Sequence, residues 1–275
     1  MTRVAVVTAV HGRHEHLERQ QHWLRRLAPN ATREVVAVAD PAIGRLVPDA
    51  TVVVVPSDPH RLRIAHARNV GAARALEDGA DVLVFLDVDC LPGPGLVDEY
   101  AAHVRDALLL SGPVTYLDEG VLPADDTDPG WFAEHRSPHP ARPDPPYGEV
   151  VTGAEPDLFW SLSFAVTAPT WRRLGGFHEE YEGYGGEDTD LGWTARDRGV
   201  ELAWLGGADA FHQHHPVSEP PVEHLEDILR NGAVFARRWG RWPMEGWLRE
   251  LAGLGLVEQV DGEWRATREQ EELHV

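Results

Sequence analysis

The hydrophobic pattern over the first third of the chain switches between two periods. Val4–Val10 is an unbroken β-branched and apolar run, the mark of a strand buried on both faces. His14–Leu27 spaces Leu17, Leu24 and Leu27, with Trp23, at helical intervals and stops before Pro29. Glu34–Ala39 predicts a second strand, ended by Asp40-Pro41, and Thr51–Val55 a third, ended by Pro56. Leu62–Leu76 reads as a helix with Gly79 near its C-terminal end, and Asp81–Leu86 as a fourth strand. This alternation implies a mostly parallel sheet with helices on both faces, whose ligands bind beyond the carboxyl ends of the strands.

The pattern breaks down over Asp118–Gly148. Pro123, Pro129, Pro138, Pro140, Pro143, Pro145 and Pro146 predict a long, mobile loop over or beside the active face. Leu158–Thr167 returns to strand character, Thr170–Leu174 to a short helix, and Asp188–Arg198 to a helix closed by Gly199. Glu201–Leu205 and Ala210–His214 are strand-like, and Val222–Trp239 is amphipathic at helical spacing. A small helical piece is expected from Met244, then a hairpin over Leu256–Ala266 turning at Asp261-Gly262. The expected architecture is α/β, with a small, mainly helical C-terminal extension over 221–275. Trp239, Trp242, Trp247 and Trp264 of that extension are expected to pack, since each carries a large area to bury.

Composition narrows the class. The 275 residues are 43 % hydrophobic and 25 % charged, ordinary for a soluble globular protein. With 25 basic and 45 acidic residues the formal charge is −20. Such a polyanion does not hold nucleic acid or anionic membrane non-specifically. Every basic residue is Arg, the signature of a GC-rich genome. Cys90 is the only cysteine, so neither a disulfide framework nor a thiolate metal site is expected. The run after Met1-Thr2-Arg3 is too short for a secretory leader, and no apolar stretch reaches the roughly 18 residues that span a bilayer. The expectation is a soluble cytoplasmic protein.

Four segments carry candidate chemistry. Asp87-Val88-Asp89 directly follows the fourth strand. Strand alternation turns both carboxylates to one side, where they suit a hard divalent cation bridging a diphosphate. Gly185-Gly186-Glu187-Asp188-Thr189-Asp190 opens a helix; one capping residue would suffice there, and three carboxylates exceed that need. In Phe211-His212-Gln213-His214-His215, His212 and His214 share a strand face and suit the remainder of a metal's coordination sphere. In Arg61–Gly71, Arg68 and Asn69 can aim a cation and an amide at a diphosphate or nucleoside.

In this order the motifs resemble the GT-A glycosyltransferases, above all the β-1,4-galactosyltransferase type and its bacterial family 2 relatives. Val10-His11-Gly12-Arg13-His14-Glu15-His16-Leu17 is similar to the first-strand loop of that family. His66-Ala67-Arg68-Asn69-Val70-Gly71 resembles its Ala-Arg-Asn-x-Gly element, and Asp87-Val88-Asp89 its DXD motif. Gly175-Gly176-Phe177 followed by Tyr181, Tyr184 and Gly185–Asp190 resembles its Asn-Gly-Phe…Trp-Gly-Gly-Glu-Asp-Asp-Asp signature. Tyr184 replaces the signature Trp, His11 replaces an Arg, and the family's Met-x-x-His metal pair is absent. The resemblance runs from about Thr2 to His215.

The resemblance implies a Rossmann-like GT-A domain over 1–220, with a donor half at about 1–115 and an acceptor half at about 150–220. It implies inverting transfer of a hexose from a UDP-sugar to a hydroxyl of a small-molecule, peptide or saccharide acceptor. Asp188 matches the catalytic base and Glu187 its helper. Val10, Arg13, Asp40, Arg68, Asn69, Asp87, Val88 and Gly186 would line the donor. Asp89 with His212 or His214, His212 preferred, would hold Mn2+ or Mg2+. A homodimer is compatible with the sequence. Two other readings stay open: a nucleotidyltransferase and a non-catalytic sugar-nucleotide binding protein.

Overall fold

A computed structural model describes residues 2–267. In chain order the first half runs β1 (Val4–Val10), α1 (His14–Leu27), β2 (Thr32–Val38), α2 (Ile43–Leu46), β3 (Thr51–Val55), α3 (Ile64–Glu77) and β4 (Val82–Leu86). Next come β5 (Cys90–Pro92), α4 (Leu96–His103), β6 (Leu108–Ser111), β7 (Val114–Tyr116), α5 (Gly130–Glu134), β8 (Val150–Thr152), β9 (Ser163–Thr167), α6 (Ala168–Leu174), α7 (Glu187–Asp197), β10 (Glu201–Leu205) and β11 (Ala210–His212). The C-terminal segment holds α8 (Leu225–Trp239), α9 (Glu245–Gly253), β12 (Val257–Val260) and β13 (Glu263–Ala266).

The main sheet has eight strands in the order β3-β2-β1-β4-β9-β6-β10-β8. β1 to β4 pair in parallel, as do β6 and β10. β9 runs antiparallel between β4 and β6, and β8 antiparallel on the edge. The α/β class and the mostly parallel sheet flanked by helices are as the strand pattern predicts. Strand alternation sorts β4 cleanly. Leu83 and Phe85 join one core with Trp171 of α6, Leu191 of α7 and Phe235 of α8. Val82, Val84 and Leu86 join the opposite core with Leu24 of α1 and Tyr100 of α4.

A second sheet, β5-β11-β7, stands beyond the end of β4. Its register places His212 opposite Cys90 on one side and Tyr116 on the other. The proline-rich loop is anchored rather than loose along its length: Phe132 is buried against Trp23 and Phe211, and Arg142 is buried as well. The C-terminal Trp residues pack as expected: Trp242, Trp247 and Trp264 form a core with Ile228, Leu248, Leu251 and Val257. Among the described residues no helix is long and apolar enough to cross a membrane.

The face of α3 toward the sheet is built of Ala65, Ala67, Gly71, Ala72 and Ala75, small residues that allow close packing. A Cβ on Gly71 would stand 2.6 Å from Val7 Cγ1 and 3.0 Å from Val36 Cγ2, both on stiff β-branched side chains. Gly71→Ala therefore overpacks this interface. The cost, about 1–3 kcal/mol, outweighs the ~1 kcal/mol of helix propensity that alanine adds. The expected result is a lower urea midpoint with an unchanged m-value.

Candidate active site

The floor of the site is the chain reversal after β4. The Cys90 amide donates to the Asp87 carbonyl at 2.8 Å, so residues 87–90 form a turn and not a continuing strand. Val88, at its centre, is buried with Val10, Leu17 and Ile43. Val10 and Val88 thus face the core. The flanking carboxylates take different partners. Asp87 Oδ1 accepts from Arg68 Nη2 at 2.7 Å, while Arg68 Nη1 donates to Glu187 Oε1 at 3.1 Å. Arg68 is only 6 % exposed. Burial raises the Asp87 carboxyl against the pull of the Arg68 charge.

Asp89 gathers a second cluster. The pairing of β11 with β5, together with a hydrogen bond from the Gln213 amide to the Asp89 carbonyl at 2.6 Å, brings the histidine segment over the turn. His212 Nε2 lies 3.5 Å from Asp89 Oδ1, and His215 Nε2 lies 3.6 Å from Asp89 Oδ2. One ligand atom from each of the three residues falls within 4.8 Å of the others. His214 is exposed and outside this group. Strand alternation, which pairs 212 with 214, ends with β11 at His212. Gln213 then turns inward and receives Arg19 Nη1 at 3.0 Å, and the chain brings His215 back to Asp89. Burial, reinforced by the Arg13 charge, lowers the His215 pKa, which favours the neutral, ligating form of the ring. A carboxylate with two imidazoles is a donor set that fits a divalent metal ion. Arg13 Nη1 also reaches Asp89 Oδ2, at 2.9 Å.

The wall beside β1 is a tight loop. Gly12 and Arg13 both take left-handed conformations, with φ of 56° and 44°. Asp40, at the end of β2, holds this loop by accepting from the Gly12 amide at 3.3 Å, and its Oδ2 meets His14 Nε2 at 2.7 Å. The His14 bond is the main reason its pKa lies below the ordinary value. Asn69 is engaged elsewhere. Its Oδ1 accepts from the Phe177 amide at 2.8 Å, and its Nδ2 donates to the Phe177 carbonyl and to Glu179, both at 2.9 Å. Both ends of this amide hold the Gly176-Phe177 turn, so the structure does not bring Asn69 to Asp89.

The opposite wall is the N-terminus of α7. Gly186 caps it with a φ of 93°, where a Cβ would stand 3.1 Å from Tyr181 Cε1. Asp188 Oδ1 accepts from the Thr189 amide at 2.6 Å. Burial first, and then the neighbouring Glu187 charge, push Asp188 up to about 7. Asp190 points the other way. It is buried and accepts from Tyr181 Oη, Arg238 Nε and Trp239 Nε1. Of the three acids in the motif, this one is a structural tie. Two residues at the site had not been singled out. His215 stands in the histidine segment, and Tyr116, whose ring lies 4.7 Å from that of His212, arrives through the β7–β11 pairing and has no sequence signal.

A family described as the N-terminal domain of galactosyltransferase matches residues 157–216, the stretch from just before β9 to just beyond His215. Two curated proteins, each called validoxylamine A glucosyltransferase, are similar to this chain. One is from Streptomyces hygroscopicus subsp. jinggangensis and the other from subsp. limoneus. Each is 30% identical over 248 residues, covering 72% of this chain and 55% and 51% of their own lengths. The chain thus spans about half the length of these curated relatives. The crystal structure of GalNAc-T7 with UDP, GalNAc and Mn2+ superposes with a TM-score of 0.54 at 14% identity, covering 78% of this chain and 43% of that one. The fold is that of the GT-A glycosyltransferases, and residues 157–216 are similar to the galactosyltransferase family.

Arg68→Met tests what holds the two walls together. It leaves Asp87 and Glu187 facing each other without their shared cation. Breaking a buried ion pair on one side costs about 3 kcal/mol or more. The expected drop in unfolding free energy is at the lower end, because Asp87 keeps some exposure. Adding Asp87→Asn and Glu187→Gln recovers part of that loss in the same urea titration.

Proposed function

We propose that this chain is a metal-dependent, inverting glycosyltransferase that moves a hexose from a UDP-sugar to a hydroxyl of a soluble acceptor. The observation that supports the reading is the pair of unlike carboxylates, Asp89 and Asp188, that flank the two carboxylates bridged by Arg68, Asp87 and Glu187. Asp89 stands with two imidazoles in a donor set that could hold a metal ion, and burial with the Glu187 charge pushes Asp188 up to about 7. The relatives are named as glucosyltransferases of validoxylamine A, which suggests glucose as the hexose.

On this reading Asp89, His212 and His215 would hold Mn2+ or Mg2+, which would supply positive charge to the leaving diphosphate. Arg13, half-exposed beside Asp89, exchanges that carboxylate for a phosphate oxygen. Asp40 and the Gly12–Arg13 loop border the nucleoside. Asp188 accepts the proton of the acceptor hydroxyl as the new bond forms at the anomeric carbon and the bond to UDP breaks. With one base and no covalent intermediate, the anomeric configuration inverts. Arg68 holds Asp87 and Glu187 in ion pairs across the two walls.

Calorimetric titration of UDP tests the donor site. Binding is expected with Mn2+ and not with EDTA. It should weaken at least tenfold in Asp89→Ala and in His215→Ala, and stay unchanged in His214→Ala. No binding of UDP, or equal binding with and without metal, overturns the metal-dependent UDP reading. Products separate the reaction classes: free UDP marks glycosyl transfer, pyrophosphate marks nucleotidyl transfer, and retained configuration in the NMR coupling of the new linkage defeats inversion.

The pH profile tests the base. Asp188 must be ionised to accept a proton, and its pKa is raised, so activity is expected to climb through about pH 7 and level off above it. The groups that set this limb are Glu187, Asp87 and Arg68. Asp188→Asn should lose about 10²–10⁴-fold in kcat and retain UDP binding.

A further inference from the structure

α8 lies beyond the segment that the galactosyltransferase family matches, yet its side chains grip the turn that leads into Glu187 and Asp188. Asn231 is fully buried. Its Nδ2 lies 3.0, 3.1 and 2.8 Å from the carbonyl oxygens of Glu182, Tyr184 and Gly185, and its Oδ1 accepts from the Glu182 amide at 3.4 Å. One turn earlier, Asp227 Oδ2 accepts from the Tyr184 amide at 3.0 Å. Asp227 is itself paired with Arg230, which donates to the Glu182 carbonyl at 2.6 Å. Gly183 is required here, since a Cβ would fall 2.1 Å from Asp227 Oδ2.

The turn has little of its own to hold it. Gly183, Gly185 and Gly186 all take positive φ, and glycine surrenders more backbone freedom on ordering than any other residue. The peptide planes of Tyr184 and Gly185 are the last before the α7 cap. Orienting their carbonyls orients the direction in which the helix starts, and hence where Glu187 and Asp188 project. α8 fastens α7 again through Arg238 and Trp239 on Asp190. Two more side chains of the C-terminal segment close on the turn. The Tyr184 ring stacks on His224 at 4.2 Å, and Met244 Sδ would lie 3.0 Å from a Cβ on Gly185.

We infer that Asn231, seconded by Asp227, is the positioning residue for the Glu187-Asp188 pair, so that α8 belongs to the catalytic machinery. This rests on the transferase reading above. The polar groups of Asn231 all meet main chain of the turn. None is recorded against Asp89, Arg13 or Asp40, so donor and metal binding are separable from its role.

The test compares wild type with Asn231→Ala, Asp227→Ala and Asp227→Asn in the full chain, reading kcat, KM, the Kd of UDP with Mn2+, and thermal unfolding. The expected result is a 10–100-fold fall in kcat for Asn231→Ala with the UDP Kd within about twofold of wild type. Asp227→Asn, which keeps an acceptor for the Tyr184 amide, should fall less than Asp227→Ala. If Asn231→Ala does not fold, the Asp227 pair decides by the same split and the same ranking. Unchanged kcat overturns the inference, as does a loss of kcat and UDP binding in the same proportion, which marks a structural role alone. A wild type that binds UDP and Mn2+ but turns over no hexosyl donor defeats the transferase reading, and the inference with it.

Discussion

The buried guanidinium of Arg68 is the interaction on which the cleft depends. Four carboxylates, Asp87, Asp89, Glu187 and Asp188, converge from two elements that are far apart in sequence. Left alone they would repel one another and draw protons. Arg68 rises from α3 between them and binds one from each wall, Asp87 at the end of β4 and Glu187 at the start of α7. That single cation sorts the rest. Asp89 is left facing two imidazoles and the half-exposed Arg13. Asp188 is left with its neighbour's negative charge and partial burial, so its carboxyl stays high while Glu187 is spent on an ion pair. Unlike environments for like groups are what divides roles among carboxylates in one site.

For Arg68 to serve both walls, α3 must sit close to the sheet and α7 must start at a defined place. The first condition is met by the small residues on α3, with Gly71 against Val7 and Val36. The second is met from outside the sheet, by α8. The metal-like cluster has a different dependence. It is set by the register of β11 against β5, where His212 faces Cys90. A slip of one residue would turn Phe211 toward Asp89 and send His212 into the core behind it.

Much of this was legible in the residues, and the remainder fails for identifiable reasons. β1, α1 and β3 have the bounds that their apolar patterns predict, because each is a local signal, an unbroken apolar run or a helical spacing, with its own breaker after it. Strands of three residues such as β5 and β7 carry no periodicity, and their partners are distant, so Tyr116 had no signal at all. That β9 runs antiparallel between β4 and β6 is likewise a matter of topology, which an apolar run does not encode. The preference for His212 rests on its place directly after the apolar strand, and His212 does stand beside Asp89; pairing it with His214 rests on strand alternation, and alternation stops where the strand stops. Past that point only the buried Gln213 decides which histidine returns to Asp89. Asn69 looked like a ligand-facing amide, but the backbone of Phe177 claims both of its ends.

The acidic helix start shows how far counting charges carries. Three carboxylates within four residues exceed what a cap requires, which argues for more than local structure. Yet α-helical geometry turns each residue by about 100°, so Asp188 and Asp190 leave the axis on nearly opposite sides. One faces the cleft. The other is buried and accepts from Tyr181, Arg238 and Trp239. The surplus is therefore divided between chemistry and architecture. The architectural share is also the point of attachment for a C-terminal segment that neither the motif pattern nor the matched family segment includes. A motif whose acids reach in two directions ties the position of the cleft-facing carboxylate to the helix packed behind it, so the boundary of the functional unit lies beyond α8 and not at the end of the recognisable motifs.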